Sequence, residues 1–276
     1  VCNLGSPNMS RVESLEEWKD VCRLGAKFLI CGTIRGELPY DKVYQIREKN
    51  RRIGLGLMGV HEWLIKRGYK YEMNPDLESW LGTWVEQSEA GANEHCDRFF
   101  LSRPIKYRAI APTGTTGIMA STTTGIEPLF ATAYKRRYLV DGTTWHYQYV
   151  VDATAQEIVD KTGVDANEIE TCMGLAEDPE RRIKFQHDVQ QYVDHCISST
   201  INLPAWGSEN NNPDTVQHMS DLLLKYCPGL RGITVYPDGA RGGQPLTPCD
   251  YNEALSKTGM IFDENEERCK GEVCNV

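Results

Sequence analysis

Residues 111–130 read Ala111-Pro-Thr-Gly-Thr-Thr-Gly-Ile-Met-Ala-Ser-Thr-Thr-Thr-Gly-Ile-Glu-Pro-Leu-Phe130, a run of small, hydroxyl-bearing and backbone-permissive residues between two apolar segments. Gly114, Gly117 and Gly125 let the main chain approach a ligand closely, while Thr113, Thr115 and Thr116 offer hydroxyls and amides in quick succession. If residues 115–119 open a helix, the free amides of its first turn and the helix dipole favour a bound anion. The other reading is a threonine-rich turn followed by a capped helix, since clusters of this composition commonly mark loops. Composition alone leaves a phosphate cradle and a capped turn both open.

Working outward, the 276 residues suffice for one large domain or two small ones, with ample apolar content for a packed core. No apolar run is long enough to span a bilayer. The opening Val1-Cys-Asn-Leu-Gly-Ser6 has neither the basic region nor the apolar core of a signal peptide, so a cytoplasmic location is expected. A start without methionine, in what reads as the middle of a strand or turn, suggests a missing N-terminal part. The net charge of −9 argues against a nucleic-acid surface but is compatible with a small phosphorylated ligand. Ten scattered cysteines do not form the dense framework of a small secreted domain, and most are expected to be reduced core residues.

Before the cradle, residues 13–31 place Leu15, Trp18, Val21, Cys22 and Leu24 at helical spacing, with Ser14 or Ser10 as cap. A polar stretch around 36–50 precedes a literal G-x-G-x-x-G at Gly54, Gly56 and Gly59. A dinucleotide-binding module would need a buried apolar strand just before those glycines, and residues 45–52 are too charged for one. The spacing instead predicts a buried helical stripe of Ile53, Leu57, Val60 and Leu64, whose glycines admit a close neighbour. A long helix is predicted over 75–100.

After the cradle, residues 131–140 read as a strand carrying Lys135, Arg136 and Arg137, and residues 143–180 as polar texture with helical fragments at 156–160 and 167–170. Then come a helix over 183–197 running into an apolar segment at 198–204, a helix over 215–226, and a strand at 233–236 closed by a Pro-Asp-Gly turn. His187 and His195 have no convincing third partner for a metal, so no metal ligand is assigned. Helices alternating with short β-prone segments predict an α/β architecture. Beyond Gly243 the apolar periodicity fades and acidic residues accumulate, which reads as a flexible tail ending in Cys269 and Cys274, with four residues between them. A dithiol there suits disulfide exchange; zinc held by Cys249, Cys269 and Cys274 is the alternative, lacking an obvious fourth ligand.

Taken together, Cys2-Asn-Leu-Gly-Ser6, Asn50-Arg-Arg-Ile-Gly-Leu-Gly-Leu-Met-Gly59, Ala111-Pro-Thr-Gly-Thr115, Gly125-Ile-Glu-Pro128, Ser199-Thr-Ile-Asn-Leu-Pro204, Gly232-Ile-Thr-Val-Tyr-Pro-Asp-Gly239 and the terminal Cys-x4-Cys resemble, in order, the large catalytic subunit of ribonucleotide reductase. They span almost the whole chain. The wording is most similar to the adenosylcobalamin-dependent class. The iron-dependent class, the alternative, would show two adjacent tyrosines shortly before the tail, where here Tyr236 and Tyr251 stand apart.

The resemblance implies a ten-stranded α/β barrel, of which residues 1–243 are the later portion and 244–276 a flexible redox-active tail. It implies that Pro112, Thr113, Gly114, Thr115 and Thr116 hold the phosphates of a ribonucleoside di- or triphosphate. Cys2 would be one of two thiols that supply reducing electrons, and Cys269 and Cys274 the pair that resets them. A thioredoxin or glutaredoxin-like reductant, adenosylcobalamin as cofactor and a homodimer are implied with it. The radical-bearing cysteine of the family belongs to an Asn-x-Cys-x-Glu loop shortly before the segment matching Cys2. The second redox cysteine also lies upstream, so the chain is expected to need the upstream half of the same enzyme.

Overall fold

The computed structural model describes residues 2–140, 142, 144–240 and 245–263. Its centre is a row of five parallel extended segments. β1 (Asn3–Gly5) pairs with β2 (Ile53–Leu55), and Leu55 is bridged in parallel to Arg108 in an extended segment at 107–110. Ile110 is bridged in the same sense to Ile197, and the strand that continues from there, β5 (Thr200–Leu203), pairs with β6 (Thr234–Pro237). Main-chain bonds stitch the short pieces together, among them Leu55 N–H to Tyr107 O at 2.9 Å and Ser198 N–H to Ile110 O at 2.8 Å.

Helices cover one face. α1 (Leu15–Arg35) is capped by Ser14, whose side chain accepts from the Glu17 N–H, and α4 (Pro75–Arg98) by Asn74 with proline in its first turn. Trp18, Cys22 and Ile30 of α1 meet Leu77, Trp80 and Trp84 of α4 and Ile53, Leu55 and Ile110 of the sheet in one buried cluster. The Trp18 indole N–H donates to Trp80 O at 3.0 Å, which pins the two helices together. α7 (Pro179–Gln190) and α8 (Val216–Tyr226) cover the far end of the sheet, burying Ile183, Leu222 and Tyr226 against Ile201.

The other face carries Gly54. Side chains alternate across a strand, so Cys2 and Leu4 share this face while Asn3 and Gly5 turn toward α1. A Cβ placed on Gly54 would stand 2.4 Å from Leu4, 3.0 Å from Ala109 Cβ and 3.3 Å from Cys2 Sγ, and one on Gly56 would stand 2.5 Å from Ala109 O. Glycine is required because neighbouring segments crowd over the central strand. Gly59, at φ +76°, begins α3 (Val60–Lys66), and a Cβ there would meet Asn8 Oδ1 at 2.3 Å. The motif is thus filled by the protein itself, with no room for a pyrophosphate.

Several expectations shift. The polar stretch before the glycines holds α2 (Asp41–Asn50). Ile53, Leu57, Val60 and Leu64 are all buried as expected, but the first lies on a strand and only the last two on a helix. β3 (Ala133–Val140) forms a hairpin with β4 (Thr144–Val151), a strand inside what reads as polar texture, followed by α6 (Ala153–Thr162). Within the predicted tail, residues 245–263 carry secondary structure. β7 (Leu246–Pro248) pairs with β3, β8 (Ile261–Asp263) with β4, and α9 (Tyr251–Ser256) lies between them. The physical cause is a small second core in which Tyr251, Ala254 and Phe262 bury against Ala133 and Tyr149. Cys269 and Cys274 lie outside the described residues. No described helix is long and apolar enough to cross a membrane.

Candidate active site

The segment at 107–110 delivers the chain to the cradle at its C-terminal end. Thr113, at φ +50°, begins α5 (Gly114–Met119); its carbonyl accepts the Gly117 N–H at 2.6 Å and its Oγ1 accepts the Gly125 N–H at 2.8 Å. A β-branched residue at positive φ is strained, and only a surrounding structure that fixes it holds it there. The N–H groups of Gly114, Thr115 and Thr116 open the helix without intrahelical partners, and these residues are exposed. Pro112 is exposed and Thr113 half-buried, so all five predicted residues stand at one accessible turn. The segment is both a capped helix start and a surface of free amides.

Cys2 is a free thiol on the face that carries Gly54. The residue is exposed, yet its sulfur sits in the crease beside Gly54, where burial raises the thiol pKa above its ordinary value. A protonated thiol suits proton and hydrogen-atom donation better than nucleophilic attack. Ala109 lies on the other side of Gly54, and Pro112 is three residues further along the same extended chain. At roughly 3.3 Å per residue that is about 10 Å. The thiol and the cradle are thus linked through Gly54 and the segment that holds Ala109.

Behind the cradle stands a buried support that the sequence did not disclose. Tyr71 donates its hydroxyl to Ile126 O at 2.5 Å, the Cys172 thiol donates to Pro128 O at 3.2 Å, and His61 Nδ1 accepts the Leu129 N–H at 2.9 Å. Burial pushes the Cys172 thiol up to about 12 and holds the His61 imidazole down to about 3, which keeps that nitrogen an acceptor. Glu127 Oε1 accepts the Thr200 N–H at 2.6 Å, and Arg182 donates to the same carboxylate. One signal was available: Arg182, Phe185, Gln186 and Val189 follow the period of a buried helical face, and all four are buried. A second network ties Thr122 to the buried Glu62, with Lys66 at 2.6 Å. Among the described residues no three of His, Cys, Asp and Glu come together to hold a metal. Of the three cysteines in the zinc alternative only Cys249 is described, at the end of β7.

Comparison with known proteins identifies the fold and the family. Residues 1–79 and 105–236 match the family described as "Ribonucleotide reductase, barrel domain". The chain is 27% identical to a vitamin B12-dependent ribonucleoside-diphosphate reductase of Mycobacterium tuberculosis, over 99% of this chain and 44% of the relative. It is 25% identical to a protein of the same description from Thermoplasma acidophilum, over 89% and 37%. Among solved structures it superimposes on a B12-dependent class II ribonucleotide reductase with a TM-score of 0.70 at 16% identity, covering 94% of this chain and 41% of that one. The chain thus spans less than half the length of these relatives, and its five parallel segments are a later portion of the barrel. By the extent of the matched residues and by its fold, the chain belongs to the ribonucleotide reductase barrel-domain family.

Proposed function

We propose that this chain is the substrate-holding and thiol-bearing part of a ribonucleotide reductase that makes DNA precursors in the cytoplasm. The observation that carries the reading is that Cys2 Sγ and Ala109 stand on either side of Gly54, and that the segment holding Ala109 leads within five residues to the exposed turn whose free amides begin at Gly114. The substrate we assign is a ribonucleoside diphosphate, as in the description of the relatives. Its phosphates lie against residues 112–116, where backbone donors complement negative charge, and its ribose lies beside the Cys2 thiol.

In the reduction the ribose 2′ C–O bond breaks and the oxygen leaves as water. Two thiols supply the two electrons and the protons and become a disulfide. Cys2 is one of them, raised in pKa and so protonated at the start. The other belongs to the remainder of the enzyme. A thiolate of the Cys269/Cys274 pair then attacks that disulfide, the active-site thiols are restored, and the pair leaves as a disulfide for a thioredoxin-like or glutaredoxin-like protein to reduce. We place this exchanging pair in the segment beyond Asp263.

Adenosylcobalamin, when bound to the assembled enzyme, supplies the radical that starts the reaction. The cavities described here do not fit it. The groove of about 450 Å³ between β1 and α1 is walled by Leu4, Leu24 and Phe28, with little to bind the amide arms of a corrin. The cleft of about 370 Å³ beside Lys106 and Arg231 opens at the end of the segments away from the cradle.

Calorimetric titration of the chain with cytidine diphosphate tests the reading. A Cβ on Gly114 meets nothing within 4 Å, so Gly114→Ala preserves the fold while intruding on the approach to the amides. Binding in the millimolar range or tighter, weakened about tenfold by Gly114→Ala, a loss of about 1.4 kcal/mol, is expected. Absence of binding, or indifference to that substitution, would sink the proposal.

A further inference from the structure

We propose that Arg182, acting through Glu127, is a positioning residue that fixes the shape of the phosphate-holding turn at 112–116; the inference rests on the functional reading above. Arg182 is on α7, 1% exposed, on the helix side of the sheet and in contact with none of the five cradle residues that the sequence singles out. Its Nη2 donates to Glu127, to Thr200 O at 2.5 Å and to Ser199 Oγ at 3.4 Å. Glu127 answers by accepting the Thr200 N–H at 2.6 Å and the Ser199 hydroxyl at 3.3 Å. Arginine and carboxylate thereby grip both polar atoms of Thr200, the first residue of β5. Glu127 is fastened to the sheet rather than to its own loop.

From Glu127 the connection runs back to the cradle. The Glu127 N–H donates to Thr124 O at 2.8 Å, and two residues before Glu127 the Gly125 N–H donates to Thr113 Oγ1 at 2.8 Å. That bond holds Thr113 at its positive φ, and Thr113 sets the direction of the amides that follow. Gly125 has a positive φ of its own, +51°, and a Cβ on it would stand 3.1 Å from Ala111 O, so this segment packs directly beneath the turn.

Packing stability does not account for Arg182. Its Nε and Nη1 are buried without a hydrogen-bond partner, and its guanidinium rests 5.2 Å from the Tyr71 ring centre. A buried ion pair that leaves donors unmatched is commonly no more stable than an apolar side chain of the same volume. A fixed planar fork offers direction, which an apolar side chain does not.

The test compares wild type, Arg182→Lys, Glu127→Gln, Thr113→Ala and the double variant Glu127→Gln/Thr113→Ala, at a temperature where circular dichroism shows each to be fully folded. Cytidine diphosphate affinity and amide exchange at Gly125 are the two readouts. Loss of the fork or of the carboxylate charge is expected to weaken the nucleotide about tenfold and to speed Gly125 exchange at least tenfold, with the core amides of α4 unaffected. The double variant should bind no more weakly than its worse single variant, because both changes break one connection. Unchanged exchange and affinity in folded Arg182→Lys and Glu127→Gln, or fully additive losses in the double variant, would overturn the inference. Faster exchange at Gly125 in a chain whose wild type binds no cytidine diphosphate would keep the strut and discard the phosphate reading instead.

Discussion

Two buried arginines serve the same sheet at opposite ends, and they are built differently. Arg108, where the third parallel segment enters the sheet, donates from Nε to Tyr192 O at 2.8 Å and from Nη1 to Ser88 Oγ at 3.1 Å, and pairs with Glu89 at 2.8 Å and Asp194 at 3.1 Å. Asp194 in turn accepts the N–H groups of Tyr107 and Arg108, both at 3.1 Å. Arg182, at the end that carries the cradle, leaves two nitrogens bare. The entry end of the sheet satisfies its charges and joins α4, the third segment and the strand that follows α7. The exit end tolerates unmatched donors and a strained threonine where a particular shape is wanted. Stability and placement are thus assigned to different ends of the same strands.

If that division holds, Arg108→Met should be the most damaging change. It removes the pairs with Glu89 and Asp194 and the bonds to Tyr192 O and Ser88 Oγ together, and a loss of about 3–5 kcal/mol is expected in chemical denaturation. Arg182→Met should cost less, about 1–3 kcal/mol, because fewer bonds are lost and the half-buried Glu127 keeps its Thr200 partner. Equal losses from the two would erase the distinction.

Acid should act on the exit end through His61. Its folded pKa of about 3 lies below the ordinary value, so between about pH 6.5 and 3 the unfolded chain takes up a proton that the folded chain refuses. Stability from this residue is complete above that window and falls as pH falls through it, by roughly 1.4 kcal/mol per pH unit. His61→Gln, compared with wild type in denaturation at pH 7 and pH 5, should show a shallower decline. Parallel curves would remove His61 from the support. The smallest effect is expected at Thr113, where Asn tolerates positive φ and still offers an oxygen to Gly125. Thr113→Asn should raise stability by up to about 1 kcal/mol, seen as a slightly higher melting temperature.

How much of this was legible depended on length and periodicity. α1 and α4 run far enough for Trp18, Cys22, Trp80 and Trp84 to declare a face. β2 is three residues long, too short to show alternation, and its neighbours Leu57, Val60 and Leu64 lent it a false helical period. α2 was hidden because its one fully buried side chain is Arg47, whose Nη1 donates to Thr33 O and Gly36 O, so burial there carries no apolar signature. β7 and β8 were hidden among acidic residues because edge strands need few apolar contacts to pair. Pro112, Thr113, Gly114, Thr115, Thr116 and Cys2 were visible from composition and resemblance, since backbone-permissive loops leave a local mark. The pairing of Arg182 with Glu127 left none, because it joins residues 55 apart in the chain; only the helical period that Arg182 shares with Phe185, Gln186 and Val189 pointed to its burial.

β8 has a further consequence, which concerns reach. The described register of its ladder with β4 reaches Asp263, paired with His146, so the covalent distance to the terminal thiols is counted from there rather than from the compositional break. Cys269 lies six positions beyond Asp263, and Cys274 eleven. At a limit of about 3.5 Å per residue these leashes are no longer than about 20 Å and about 40 Å. If that pair exchanges with the active-site disulfide as proposed, its reach is bounded by where the hairpin is anchored rather than by how acidic the terminus is.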